Sequence, residues 1–465
     1  MLTMCDRLYG KIELPELAGE LATTCPVLLR LREVRMANIP FFTHPSFTNV
    51  DRYEHSLGVA HLAWRWARAN RLPQDLATAL TIAALYHDGA TPAFSHLFEE
   101  FLGRFGFDHE HELEQILRGR PHEIPGRQDA QVFLGCTCRL RSVLGRPTDV
   151  NSPLTVAGIA DLAAGKGPFG RIIKGDIDVD NIDNVIRAAT AMGVIRERDQ
   201  IHPYAVLDAI ECADGDIQIR RDRRFAIAAW ENARYVLYDT ILSNPYEFRA
   251  QSTLKWAIEE CSSGEPRLRT RAAWKYTEPE LIFKYLRKQP FPRRLVDRLR
   301  RGKPAELLFS LWLEDLSPLM GAEGEATMSR LRAAVADIVN MEVYVNYYVD
   351  RRRRRISLPV RGNRSLFSDE RSARDACTVG GEGKGSSAGG VVGVVGISRA
   401  ERIQAERGRL QSTVHQGAES ISMKGIDSDA LGRCFEDILC ERPRSIWRGW
   451  MGSHPEPEQL SLTNL

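Results

Sequence analysis

Apolar residues recur at helical spacing over roughly the first 260 positions, and this pattern predicts a succession of helices. Between Leu14 and Arg35 they fall at Leu17, Leu21, Leu28, Leu29 and Leu31, after a short lead-in. Pro40, Pro45 and the Phe41-Phe42 pair mark a loop. The next helix runs from His55 to Ala69, with Leu57, Val59, Ala60, Leu62 and Trp64 for its buried side. Leu76 to Asp88 is apolar almost all round, the pattern of a helix buried on every side. After a break at Thr91-Pro92-Ala93, helical spacing resumes over Phe94–Phe105, Phe107–Leu117, Leu154–Ala164 and Asp180–Gly193.

The second half is less regular. Asp214 to Ile219 predicts a turn and a short strand, and Arg224 to Cys261 a long helical stretch interrupted at Asn244-Pro245. Helical spacing continues at Glu278–Arg287, Ala305–Leu313 and Ala326–Val339, and no sheet of any size is expected there. Past Val349 the composition shifts to the basic run Arg351–Arg355 and then to Gly, Ser and Val between Gly380 and Gly396. Short strands are expected at Ile356–Val360 and Val391–Ile397, and helices at Arg399–His415, capped by Ser398, and Ser428–Cys440. The chain from Pro443 reads as loose. The expected fold class is therefore all-α. Residues 1–345 would form a helical bundle with a few short strands, 346–397 a basic, glycine-rich linker, and 398–465 a loosely ordered helical appendage.

Composition narrows the function only slightly. The 63 Lys and Arg residues nearly balance 61 Asp and Glu, so net charge favours no polyanionic partner. The basic run Arg351–Arg355 reads as a solvated linker, which leaves nucleic acid a minor alternative. No apolar run approaches the ~20 residues of a membrane span, and Met1–Lys11 lacks a signal pattern. The nine cysteines include no Cys-x-x-Cys pair, which disfavours a zinc ribbon and a disulfide scaffold and fits a cytoplasmic protein. Histidine is the informative residue: eight of eleven lie between His44 and His122.

The candidate chemistry lies at the ends of two of these helices. His55 heads one helix, and the adjacent pair His87-Asp88 ends the nearly all-apolar one, where polar groups meet the core and must be paired or coordinate something. Two imidazoles and a carboxylate form a plausible three-ligand set for a divalent metal. A fourth ligand is expected from the run Asp176, Asp178, Asp180 and Asp183, with Asp180 the leading choice.

Several stretches in this order resemble the HD-domain metal-dependent phosphohydrolases, most closely the deoxynucleotide triphosphohydrolase (dGTPase-like) branch. They are Tyr9–Leu14, Leu29–Arg32, Arg52–Val59, His87-Asp88, Phe94–His96, Asp108–Glu110 and Asp178–Asp180. The resemblance implies His55, His87, Asp88 and Asp180 as metal ligands and Asp183 as a supporting partner. It implies His109 as the catalytic histidine, Glu99 as its acidic partner, His96 and Arg52 as phosphate contacts, and Arg187 as a substrate residue. The cofactor expected is a divalent ion, Mn, Mg or Fe before Zn, because the set leaves positions open to water.

The chain also departs from that pattern. Thr91 stands where the family often has a further histidine, Asn181 where the triphosphohydrolases carry a lysine, and Asn184 and Ala188 where they carry sugar-reading tyrosine and aspartate. The expected activity is hydrolysis of a nucleotide phosphoester, first a deoxynucleoside triphosphate to nucleoside and triphosphate. The alternatives are another phosphoester (a cyclic dinucleotide, an alarmone, a nucleotide monophosphate) and a nucleotide-sensing regulator with little turnover. The expected partners are a nucleotide substrate and, in a homo-oligomer, further copies of the chain.

Overall fold

The computed structural model describes residues 1–38, 43–118, 140, 143–144, 152–195, 201–213, 216–352, 356, 358, 389–406 and 428–439. The lead-in is an antiparallel hairpin of β1 (Leu2–Asp6) and β2 (Gly10–Leu14), followed by α1 (Glu16–Thr24) and α2 (Pro26–Arg30). The single helix expected over Leu14–Arg35 is thus divided, because Pro26 supplies no amide hydrogen and starts a new helix.

The centre of the molecule is a helix pair, α3 (Arg52–Ala69) and α4 (Gln74–Tyr86). The connection between them is short, so the helices pack as antiparallel neighbours and the start of α3 meets the end of α4. Asp51 begins α3 by accepting the Glu54 amide. Every residue of α4 from Ala77 to Tyr86 is buried. Around this pair lie α5 (His96–Gly103), α6 (His109–Leu117), α7 (Val156–Ala163) and α8 (Val179–Met192). A second small hairpin, β3 (Ile210–Ala213) with β4 (Asp216–Ile219), precedes α9 (Arg224–Leu242) and α10 (Pro245–Gly264). Asn244 separates these last two helices and caps α10, accepting the Tyr246 and Glu247 amides.

The fold is helical with small sheets, and its larger sheet differs from expectation. Ala305–Leu313, expected as a helix, holds strand β5 (Glu306–Leu313). Together with β6 (Glu342–Val349) and β7 (Gly390–Ile397) it makes an antiparallel sheet in the order β5-β7-β6. Pairing with the valine-rich β7 overrides the helical appearance of the leucines in β5. Strand β7 covers the short strand expected at Val391–Ile397, inside the stretch expected as linker, and β6 crosses the boundary expected at residue 345. Glycine there serves close packing, not flexibility: a Cβ at Gly393 would sit 2.6 Å from the Phe248 ring, and one at Gly390 2.0 Å from the Tyr348 carbonyl oxygen.

With α12 (Gly321–Val339) and α14 (Ser428–Leu439), the sheet encloses a second core of Leu308, Leu311, Leu331, Val345, Val394 and Phe435. Between these elements, α11 (Pro290–Arg300) packs on α10, and α13 (Arg399–Glu406) packs on α11. The remainder of the helix expected to His415, the strand expected at Ile356–Val360 apart from two residues, and Arg353–Arg355 lie outside the described residues. Among the described residues no helix is long and apolar enough to cross a membrane.

Candidate metal centre

The antiparallel packing of α3 and α4 brings His55 and His87 together although 32 residues separate them, with their Nε2 atoms 3.2 Å apart. Each ring commits its other nitrogen to an acceptor. His55 Nδ1 donates to Asp183 Oδ1 at 2.7 Å, and His87 Nδ1 to the Ala84 carbonyl at 2.7 Å. A carboxylate and a carbonyl can only accept, so both protons sit on Nδ1 and both Nε2 lone pairs face one point. Asp180 Oδ1 lies 3.1 Å from His55 Nε2 and 3.6 Å from His87 Nε2. Asp88 Oδ2 lies 3.7 and 3.5 Å from the same atoms. Two lone pairs and two carboxylates facing one point repel one another unless a cation or protons lie between them. The ligating atoms of His55, His87 and Asp88 alone are spaced to hold a metal ion. The donor set therefore fits a divalent cation, with imidazole tautomers fixed from behind in the way metal sites require.

Without a cation, protons take that role. Burial opposes charge on His55, but the bonds to Asp180 and Asp183 outweigh it and raise its pKa to about 9. His87 is raised as well: burial opposes it, and the Asp88 charge and Asp180 bond prevail. Asp88 and Asp180 are held below the usual carboxylate range. Burial works against ionisation of both, outweighed at Asp88 chiefly by Arg52 and at Asp180 by the two imidazoles.

The acidic run divides its labour. Asp178 caps α8, accepting the Asn181 amide at 2.7 Å. Asp180 turns to the imidazoles, and Asp183, fully buried, supports His55 from behind. Asp183 also accepts from Tyr9 Oη at 2.7 Å and from Arg187 Nε and Nη2 at 2.7 and 2.8 Å. Gly58, one turn along α3 from His55, admits this cluster. A Cβ there would sit 2.2 Å from Asp183 Oδ2 and 2.4 Å from Arg187 Nη2.

Arg187, expected at the substrate, is instead behind the site. It follows Asp183 by one helical turn, so its guanidinium closes on that carboxylate, and Nη1 pairs with Glu54 and Asp6 at 3.0 Å each. Its side chain is 3% exposed. Arg52, expected at phosphate, is also buried and engaged. Nη1 pairs with Asp88 Oδ2 at 2.5 Å and Nε donates to Ser95 Oγ at 2.9 Å. Its position orients Asp88. Thr91 donates to the other Asp88 oxygen at 2.9 Å.

His96, Glu99 and His109 form one unit. Glu99 accepts from His96 Nδ1 at 2.9 Å through one oxygen and from His109 Nδ1 through the other. Among the described residues neither Nε2 has a hydrogen-bond partner. Phe94 and Ser95, just before α5, hold left-handed backbone at φ 58° and 52°, a strain that aims His96 and places Ser95 Oγ between Arg52 and the Arg35 carbonyl. Burial would lower the His109 pKa, but the bond to Glu99 and its charge raise it. Glu99 itself is held low: burial opposes ionisation, and the two histidines prevail. His109 lines one pocket with His87, Asp88, Asp180, Glu110 and Lys174. Lys174, not anticipated from sequence, pairs there with Glu110. Asp6, Glu54 and Gly58 were not singled out either, although Glu54 and Gly58 lie inside the Arg52–Val59 stretch and Asp6 just ahead of Tyr9–Leu14.

Residues 52–132 match the family described as the HD domain. With the paired His87-Asp88 and the helical architecture, this supports the HD-domain superfamily as the class that the fold and site define. A deoxynucleoside triphosphate triphosphohydrolase SAMHD1 homolog of Dictyostelium discoideum is 30% identical over 116 residues, 23% of this chain and 22% of that protein. An uncharacterized protein of Methanocaldococcus jannaschii is 24% identical over 233 residues, 49% of this chain and 43% of that protein. The chain thus spans less than half the length of these curated relatives. The crystal structure of a hypothetical protein from Aquifex aeolicus superposes with a TM-score of 0.56 at 18% identity, covering 87% of this chain and 99% of that one. At that identity it shows the fold alone.

Proposed function

We propose that the chain is a metal-dependent phosphohydrolase acting on a nucleotide phosphoester, with His55, His87, Asp88 and Asp180 as its metal ligands. The observation that carries this reading is the convergence of two Nε2 lone pairs on one point beside Asp88 and Asp180. A divalent cation held there supplies Lewis acidity toward water and a phosphoryl oxygen. The chain's own residues supply the rest. Asp183 and the Ala84 carbonyl hold the imidazoles in the ligating tautomer, while Arg52 and Thr91 fix Asp88. His109, its Nδ1 bound to Glu99 and its proton affinity raised, is the acid that donates from Nε2 to a leaving oxygen. His96, held by the same carboxylate, is a phosphate contact.

The leading substrate class is a deoxynucleoside triphosphate, in line with the name of the Dictyostelium relative. Ala188 favours a second reading on substrate: it is buried in the core and has no polar atom for a sugar hydroxyl, so another phosphoester is the runner-up. A nucleotide sensor with little turnover remains the reading from a different class, because the Thr91 hydroxyl is committed to Asp88. The test is a product assay on purified protein with Mn or Mg. Deoxynucleotides, ribonucleotides, cyclic dinucleotides and alarmones are offered, and products are resolved by mass. Nucleoside plus triphosphate supports the leading class, and a different product keeps the site but replaces the substrate. Binding without any product over hours would leave the sensor standing.

A further inference from the structure

The pocket lined by His87, Asp88, Asp180 and His109 is rich in negative charge, because Glu110 and Glu114 of α6 line it as well. Among the described residues that line it, Lys174 is the one lysine or arginine. A divalent cation offsets the two aspartates, and Lys166 and Arg118 hold Glu114 at 3.2 and 3.1 Å. A polyphosphate entering this pocket brings further negative charge, and a positive side chain must meet it.

Lys174 lies in the loop between α7 and α8, and that loop fixes its backbone. Its amide donates to the Gly170 carbonyl at 3.0 Å. Its stem runs along Gly165, where an added Cβ would sit 3.2 Å from Lys174 Cβ and 3.6 Å from its Cδ. The next amide, that of Gly175, donates to Asp178 Oδ2 at 2.8 Å, which ties the loop to the residue capping α8. Lys174 and Asp180 are thus placed on the same pocket by one short, braced stretch of chain.

Ease of exchange separates Lys174 from the arginines near the site. Arg52 and Arg187 are committed to buried pairs with Asp88 and Asp183, and losing those pairs would leave buried carboxylates alone. Lys174 pairs with Glu110, and the two side chains are 48% and 46% exposed. Such an exposed pair contributes little, a factor of about 5 or less in an equilibrium, and water can take over Glu110 once it is released. The three donors of the ammonium group then suit a phosphate oxygen.

We propose that Lys174 binds a phosphate group of the substrate in the pocket beside the metal, exchanging Glu110 for it. The proposal rests on the phosphohydrolase reading above and adds to it the residue that meets the phosphate charge. Glu110, next to His109 on α6, keeps Lys174 at the pocket until substrate arrives.

The test is calorimetric titration of the full chain with inorganic triphosphate in the presence of Mg²⁺, with Mg²⁺ affinity measured separately. K174A is expected to weaken triphosphate binding about 10-fold or more, the effect of removing a charge-assisted hydrogen bond, with Mg²⁺ affinity kept. K174R, which keeps the charge, is expected to recover part of the binding. E110Q removes the competing carboxylate and is expected to tighten binding about 2- to 5-fold. That gain is expected to shrink in E110Q/K174A, because the exchange needs Lys174. Equal binding by wild type and K174A would overturn the assignment and leave the phosphohydrolase reading standing. A gain from E110Q of the same size with and without Lys174 would overturn the exchange. If wild type binds no triphosphate with metal present, the proposal and the phosphohydrolase reading fall together.

Discussion

His55 and Asp183 share a 2.7 Å hydrogen bond between Nδ1 and Oδ1, both side chains buried, and this bond aims the other imidazole nitrogen at the candidate metal position. Asp183→Asn keeps the shape but allows the amide to face His55 with either its oxygen or its nitrogen. Metal affinity is expected to fall about 10- to 100-fold, as when such supporting partners are removed elsewhere. Calorimetric titration with Mn²⁺ measures it.

Gly58→Ala places a methyl group 2.2 Å from Asp183 Oδ2 and 2.4 Å from Arg187 Nη2, in a cluster with no free volume. The expected cost is about 1–3 kcal/mol of stability, together with weakened metal binding because Asp183 must move. Denaturant unfolding of metal-free and metal-loaded protein separates the two effects.

Arg187→Ala removes the cation that Asp183, Asp6 and Glu54 share behind the site. Breaking a buried pair in this way costs about 3–5 kcal/mol, because the remaining carboxylates lose their partner. The loss is expected in unfolding free energy and not as a selective rise in KM, which a substrate-contacting arginine would give.

The pH dependence of the metal-free protein follows from His55, whose pKa rises from 6.5 to about 9 on folding. A raised folded value means that protonated His55 stabilises the native state fully below pH 6.5, and that this contribution is lost as pH rises through about 9. Chelator-treated protein is expected to lose stability across that window. A divalent cation competes with the same proton, so its affinity is expected to rise over the same range, with proton release on binding. Unfolding midpoints with and without Mn²⁺ across pH 6 to 9 provide the check.

Glu99→Gln leaves an amide oxygen for one histidine but removes the charge that raises the His109 pKa. If His109 works as the acid, kcat falls about 10-fold or more. The basic limb of the pH–rate profile moves to lower pH, because His109 then loses its proton sooner. An unshifted limb would assign the acid elsewhere.

The convergence of His55, His87 and Asp88 was legible because α3 and α4 follow one another through a short connection and must pack antiparallel. The split between Asp178 and Asp180 follows from helix-start chemistry, in which the first acidic residue caps and the next is free to turn away. Other features were hidden. The direction of Arg187 depends on a hairpin that looked like a short lead-in, and the double role of Glu99 depends on the angle between α5 and α6. Strand β5 is rich in leucine and lacks polar alternation, so periodicity gave it to a helix. The strand at Val391–Ile397 was expected, but not its place in the middle of a sheet, since the backbone and ring that crowd its glycines come from residues such as Phe248 and Tyr348, far away in the chain.

The most direct test of the central claim is to strip the protein with chelator, titrate Mn²⁺ back and follow product release from a nucleotide that the wild type hydrolyses, beside Asp88→Ala. Turnover is expected to vanish on stripping and to return as one site fills, while Asp88→Ala keeps its helical spectrum and stays inactive. Full turnover in stripped protein, or in Asp88→Ala, would contradict the account.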